Sequence, residues 1–179
     1  MRITKVYTRT GDDGTTSLAR GERVDKDSPR IRVLGSLDEI SSSIGVALAH
    51  SAAGDLTEPL RRVQNTLFNL GGELAVKDRK MHLISQDDVD WLERTLDGWN
   101  ESLPPLKEFV LPGGSPVSAQ LHHARSVCRR AERNLVTLNK SEPISEVTLS
   151  YVNRLSDFLF VAARYQNMKD GGEERMWER

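Results

Sequence analysis

The sequence predicts an all-α fold, a five-helix bundle behind an irregular N-terminal loop, on three observations. Apolar residues recur in alternating steps of three and four over five separate segments, the spacing that lines one face of a helix. The connections between these segments are short and carry prolines or capping residues where helices should begin. The alternation is also that of near-parallel helix packing, so the segments are expected to lie side by side as a bundle.

The first segment follows Pro29 and carries Val33, Leu37, Ile40, Ile44 and Ala47. The second follows Pro59, with Leu60, Val63, Leu67, Leu70 and Leu74. Val89, Leu92, Leu96 and Trp99 make the third, and Ser85 with Asp88 ahead of it has the spacing of an N-terminal cap and its reciprocal partner. Ser115 and Pro116, a cap followed by a first-turn proline, open the fourth: Val117, Leu121, Ala124, Cys128, Ala131, Leu135 and Leu138. The fifth follows Pro143 and contains Val147, Tyr151, Val152, Leu155, Phe158, Leu159, Ala162 and Tyr165. Two stretches escape the helical period, residues 1–29 and "LPPLKEFVLPGG" at 103–114. Function concentrates in such loops when a rigid scaffold holds them.

At 179 residues the chain is most simply one domain with a substantial core. A net charge of −1 leaves no global basic field for nucleic acid or an acidic membrane, so anion binding must come from local clusters. The single cysteine, Cys128, excludes an internal disulfide and points to a reducing compartment. Its core spacing makes it a small hydrophobe, not a nucleophile. The polar N-terminus "MRITKVYTRTGDDG" lacks the apolar core of a signal peptide, and no apolar stretch is long enough to span a bilayer. A cytoplasmic protein is expected.

Two clusters bear on chemistry. "TRTGDDGTTSL" at 8–18 is either an ordinary Asp-Gly turn or an anion cradle. In the second reading glycine lets main-chain N–H groups approach a ligand, while Thr8, Thr10, Thr15, Thr16 and Ser17 add hydroxyls and Arg9 a cation. No Walker-type spacing decides between them. In "HHARSVCRRAER" at 122–133, core positions at Cys128 and Ala131 place Arg125, Arg129 and Arg133 on one stripe. Stacked like charges repel. The stripe is either a solvated face near Glu132 or a clamp for triphosphate or carboxylate, to which guanidinium geometry is suited.

Asp38, beside core position Leu37, is a candidate to neutralise one of these arginines, or else an exposed residue of an early turn. Asn153 and Asp157 lie one turn apart, and Arg154 and Asp157 can pair. His122 and His123 point about 100° apart on a helix and make a poor zinc pair. Neither a Ser-His-Asp arrangement nor paired catalytic carboxylates stand out. An enzyme built this way would rely on positioning and charge stabilisation, with a nucleophile supplied by its substrate.

In order along the chain, "YTRTGDDGTTSL", "RVDKD", "LDEISSSIG", "QNTLFNLGGEL", "FVLPGGS", "LHHARSVCRRAER" and "VNRLSDFLFVAARY" closely resemble the PduO-type ATP:cob(I)alamin adenosyltransferases, from residue 7 to 165. The resemblance implies a homotrimer of five-helix bundles with active sites between subunits. It implies transfer of the 5′-deoxyadenosyl group of ATP to the cobalt of reduced cobalamin, with Mg2+ accompanying ATP and cobalt(I) itself the nucleophile. Residues 1–29 would form the ATP-binding, phosphate-binding loop, residues 30–168 the bundle and residues 169–179 a C-terminal tail. Thr8, Arg9, Thr10, Gly11, Thr16 and Ser17 would wrap the phosphates, with Lys26 adding a cation.

By the same resemblance, the run Arg129, Arg130, Ala131, Glu132 and Arg133, with Asn153, would complete the nucleotide site. Arg125 would pair with Asp38 across a subunit boundary, and Phe109 would press on the corrinoid's lower face and displace its axial base. Asp13 and Ser41 depart from the residues many relatives carry, a lysine and an asparagine, which leaves Asp13 without an assigned role. A non-catalytic cobalamin carrier is the competing reading, although a carrier has no need of a triphosphate site. The enzyme's further partners would be a reductase and an adenosylcobalamin-dependent enzyme, while a carrier would deliver its cofactor to such a dependent enzyme. A nucleic-acid binder is disfavoured by the charge and by the lack of stacking aromatics beside the arginines.

Overall fold

The computed structural model describes residues 7, 9–51, 54–77 and 81–178. Five helices dominate: α1 Pro29–His50, α2 Thr57–Leu74, α3 Gln86–Asn100, α4 Pro116–Asn139 and α5 Glu146–Lys169. Helix α4 packs along both α1 and α5, α2 packs on the other side of α1, and α3 on the other side of α5. The apolar positions read from the sequence meet in one core, with Ile40, Ile44, Leu60, Leu70, Leu92, Leu121, Leu135 and Phe158 fully buried. Trp91, Trp99 and Tyr165 close around Phe158 and the α3–α5 seam, with ring centroids 5.1–5.8 Å apart. A side chain of this size contributes about 1.5–3 kcal/mol by leaving water. Among the described residues no helix is long and apolar enough to cross a membrane.

The starting signals act as their chemistry requires. Ser85 and Asp88 form a complete capping box at α3, and the Ser115 hydroxyl accepts the Ser118 N–H at 3.3 Å at α4. Helix α2 begins at Thr57, two residues before Pro59, because first-turn N–H groups have no helical partner for proline to remove. Phe68, next to Leu67 in α2 but absent from the three-and-four series, is 74% exposed, since it is one step off the buried Leu67 stripe.

The segment before α1 is not wholly irregular. Strands β1 (Thr15–Ser17) and β2 (Arg23–Asp25) form an antiparallel hairpin with Thr16 opposite Val24. Gly14 and Gly21 take the positive φ that its turns require. The hairpin is moored to the end of α2, where the Ala19 N–H donates to the Ala75 carbonyl at 3.0 Å and Leu18 is buried. Buried Arg30 ties the same end together by donating to the Leu74 carbonyl and to the Glu142 carboxylate of the α4–α5 connection.

At the opposite chain terminus, residues past α5 fold back along the 103–114 stretch. Val110 and Met176 form an antiparallel bridge, Leu111 donates to the Arg175 carbonyl at 2.8 Å, and Trp177 donates to the Phe109 carbonyl at 2.7 Å.

Candidate functional site

Three surfaces hold the residues singled out by the sequence: the N-terminal loop, the exposed face of α4 with its neighbour on α5, and the end of the molecule carrying Phe109. In the loop, the Gly14 N–H donates to the Gly11 carbonyl at 3.3 Å, and the Lys26 ammonium reaches the same carbonyl at 2.6 Å. A Cβ at Gly11 would sit 3.1 Å from the Thr15 carbonyl oxygen, so the turn is closed against that position. Arg9 takes φ +60°, the left-handed region that glycine prefers, and its guanidinium lies 5.8 Å from the Tyr7 ring centroid. Thr8 lies outside the described residues.

Asp13 has a definite place. Its Oδ1 accepts from the Thr15 amide at 3.0 Å and the Thr15 hydroxyl at 2.7 Å, and these bonds hold its carboxyl below the usual range. Arg23 donates to Asp13 at 3.2 Å, to Ser17 at 3.4 Å, and to the Thr10 carbonyl and Thr15 hydroxyl. Asp13 and Arg23 therefore clasp the turn on which Thr10, Gly11, Thr16 and Ser17 sit. Sequence reasoning missed Arg23: in a charged run, nothing local marks which cation folds back on the loop.

On α4, the arginines divide by what they touch. Arg130 reaches across to α1 and pairs with Glu39, and Ala131 turns into the core. Arg154 on α5 pairs with Glu93 at 2.8 Å and with Asp157 at 3.0 Å. The stripe does not follow this pattern. Among the described residues, Arg125, Arg129 and Arg133 have no carboxylate within ion-pair distance. Arg133 donates to the Arg129 carbonyl at 3.1 Å. Arg125 lies half-buried with its guanidinium 5.3 Å from the Phe160 centroid, and burial together with the like charge of Arg129 lowers its pKa. The three span about 12 Å of helix. Beside them Asn153 donates from Nδ2 to Glu132 at 2.8 Å, which joins α5 to α4 under the stripe.

Within one chain Asp38 does not meet Arg125: it is exposed on α1 and lines a groove of ≈ 310 Å³ with Leu34, Leu37, Ser41, Leu67 and Phe68. The intrachain partner for an α4 arginine is instead its neighbour Glu39. No hydrogen bond or ion pair among the described residues joins Gly11, Thr16, Ser17 or Lys26 to α4.

Phe109 is 75% exposed, and its ring stands edge-on to Trp177 at 6.4 Å. Its ring therefore stands outside the bundle core. Behind it a cavity of ≈ 380 Å³ is lined by 110–114, Ser118, His122, Asn167 and residues 173–175 of the tail. His122 is buried, and burial followed by the charge of Arg125 lowers its pKa. Its neighbour His123 is exposed. Cys128 is buried on the inner face of α4, its thiol pushed up to about 12 by desolvation, as suits a packing residue. Among the described residues no group of three His, Cys, Asp or Glu converges as a metal site.

The family model for cobalamin adenosyltransferases matches residues 6–166. The chain is 46% identical to a corrinoid adenosyltransferase of Bacillus subtilis, over 98% of this chain and 93% of that one. It is 40% identical to a corrinoid adenosyltransferase of Mus musculus, over 99% of this chain and 79% of that one. It is also similar to the solved structure of a phenylalanine-to-alanine variant of a PduO-type ATP:corrinoid adenosyltransferase from Lactobacillus reuteri complexed with cobalamin and ATP. That match has a TM-score of 0.92 and 33% identity, covering 98% of this chain and 100% of that one.

Proposed function

The chain belongs to the cobalamin adenosyltransferase family, and from that premise we propose how its residues divide the reaction. It is an ATP-dependent corrinoid adenosyltransferase, which transfers the 5′-deoxyadenosyl group of ATP to the cobalt of reduced cobalamin. The electron pair of cobalt(I) forms the new bond to C5′, the C5′–O bond breaks, and its electrons leave on triphosphate. Negative charge therefore grows on the oxygen next to the α-phosphorus, and the protein's task is to hold ATP in line and stabilise that charge.

The observation that carries the site assignment is the stripe Arg125, Arg129 and Arg133, left without carboxylates among the described residues while Arg130 and Arg154 are paired. Unpaired guanidiniums stacked on one face repel one another, and a polyphosphate relieves that repulsion through charge-assisted bonds. Arg129 at the centre meets the departing triphosphate. Thr8, Arg9, Thr10, Gly11, Thr16 and Ser17, with Lys26, wrap the phosphates from the loop that Asp13 and Arg23 clasp. Magnesium accompanies ATP and neutralises part of its charge. Asn153 turns its amide N–H₂ toward Glu132, so its Oδ1 is left as an acceptor for the nucleoside.

A homotrimer brings the loop of one subunit to the α4 stripe of the next, with Asp38 in its groove meeting Arg125 of the neighbouring copy. This assembly accounts for loop residues Gly11, Thr16, Ser17 and Lys26 that share no hydrogen bond with the stripe among the described residues, and for the exposed apolar Phe68 beside Asp38. The enzyme works in the cytoplasm, receives reduced corrinoid from a reductase and passes product to an adenosylcobalamin-dependent enzyme.

A double-mutant cycle on Asp38 and Arg125 tests the assembly, read as trimer mass and turnover. Removing one partner of a buried pair strands the other charge, at about 3–5 kcal/mol. Asp38→Asn and Arg125→Gln are each expected to weaken the trimer and activity, and the double replacement to cost less than their sum. Strict additivity would show that the two side chains do not meet.

A further inference from the structure

We propose that Arg164 is a positioning residue for the corrinoid end of this active site, a latch that holds the C-terminal tail against the segment carrying Phe109. The inference rests on the reading of Phe109 as the residue beneath the corrinoid. The Arg164 side chain is 3% exposed, one of the most deeply buried charges among the described residues. Its Nε donates to Glu174 Oε1 at 2.7 Å and its Nη2 to Glu174 Oε2 at 3.0 Å, a bidentate fork. The same Nη2 donates to the Pro104 carbonyl at 2.9 Å. One guanidinium on α5 thus grips both arms of the pair that lies outside helical packing: the 103–114 stretch and the tail.

Those arms then meet each other at Val110–Met176, with Trp177 bonded to the Phe109 carbonyl and its ring set against Phe109. A second anchor lies alongside. Buried Asn167 accepts from the Ser115 amide at 2.9 Å, and a Cβ at Gly114 or Gly172 would collide with its side chain. The tail turns in the left-handed conformation at Gly171 and passes close over this point.

Tail residues 173–175 supply one wall of the ≈ 380 Å³ cavity behind Phe109, so the cavity is complete only when the tail is docked. A buried guanidinium is strongly disfavoured without its counter-charge, so the docked arrangement is favoured as a unit. Phe109 itself is exposed, and no core packing fixes its ring; its direction is set by Trp177 and the bridge. The Arg164–Glu174 pair sets both.

The test compares the wild type with Arg164→Met, Arg164→Lys and Glu174→Gln in the intact assembly. Five quantities are measured: KM for cobalamin, KM for ATP, turnover from cobalt(II) with an added one-electron reductant, turnover from cobalt(I), and the absorption change when ATP-saturated enzyme strips the lower base from cobalt(II)alamin. Arg164→Met is expected to raise the cobalamin KM about tenfold or more, misplacement of a binding group being costly. It should also lose most of the base-off signal, with the ATP KM within about twofold of wild type, because no hydrogen bond or ion pair among the described residues joins Arg164 to the loop or to the α4 stripe. Arg164→Lys keeps the charge without the fork and should fall between. Glu174→Gln, which keeps the shape of the partner, should shift the same quantities in the same direction and serves if Arg164→Met does not assemble.

An unchanged cobalamin KM and base-off signal in these variants would overturn the latch. So would equal losses for ATP and cobalamin, which mark a merely structural tie. If Phe109→Ala also leaves the base-off signal intact, the reading of Phe109 fails; if it abolishes the signal while the Arg164 and Glu174 variants do not, the latch alone fails.

Discussion

Arg129→Ala is expected to lower adenosyl transfer by about 10²-fold or more, the scale of losing one preorganised donor at a site of developing charge. Arg129 occupies the middle of the stripe, is exposed, and has no carboxylate partner among the described residues. Its removal strands no counter-ion and opens no cavity, so stability should move by no more than about 0.5 kcal/mol. The loss should fall mainly on kcat with saturating ATP, since charge on the leaving triphosphate is greater at the transition state than in bound ATP. Arg130→Ala is the contrasting variant: Arg130 is engaged with Glu39, and its replacement should act through packing of α1 on α4. Steady-state kinetics with the assembly checked by mass decides the matter. Near-normal kcat in an intact Arg129→Ala assembly would remove Arg129 from this role.

Phe109→Ala should show a loss that depends on the oxidation state of the corrinoid supplied. The ring is 75% exposed and touches Trp177 outside the core, so truncation should barely lower the melting temperature, and the ATP KM should stay near wild type. Under the corrinoid, the ring takes the space that a lower axial base would need. Without it, cobalt(II) keeps its base and is hard to reduce, and turnover from cobalt(II) in the presence of an added one-electron reductant should fall sharply. Starting from cobalt(I), which needs no base displaced, the loss should be smaller. Equal losses from both starting states together with a lowered melting temperature would return Phe109 to a packing role.

The bundle was legible because its signals are local. The three-and-four period sorts inward from outward residues, and Ser85, Asp88, Ser115 and Pro116 fix two helix starts by bonds that span no more than three residues. The arginine stripe was legible for the same reason, since Cys128 and Ala131 orient α4 and thereby set Arg125, Arg129 and Arg133 along one line on its other side, with Arg129 and Arg133 exposed and Arg125 half-buried.

Features that depend on distant partners were not. The β1–β2 hairpin is only three residues a side, too short for an alternating pattern, and it forms because Arg23 and the end of α2 hold it. That Glu39 and not Asp38 meets an α4 arginine within the chain depends on how α1 is rotated against α4. The exposure of Phe68 is likewise a matter of rotation, one residue away from the buried stripe. The docked tail depends on Arg164 and Glu174, ten residues apart, whose pairing no local pattern announces.

The most direct test of the account is to incubate the protein anaerobically with chemically reduced cobalamin and Mg-ATP, following the corrinoid spectrum and the inorganic product together. The expected result is conversion of cobalt(I)alamin to adenosylcobalamin with one intact triphosphate released per corrinoid, abolished when ATP is omitted and slowed about 10²-fold in Arg129→Ala. Tight binding of the corrinoid with no spectral conversion in the presence of Mg-ATP would make the protein a carrier. Conversion that releases pyrophosphate and phosphate without passing through triphosphate would contradict the assignment of the leaving group to the arginine stripe.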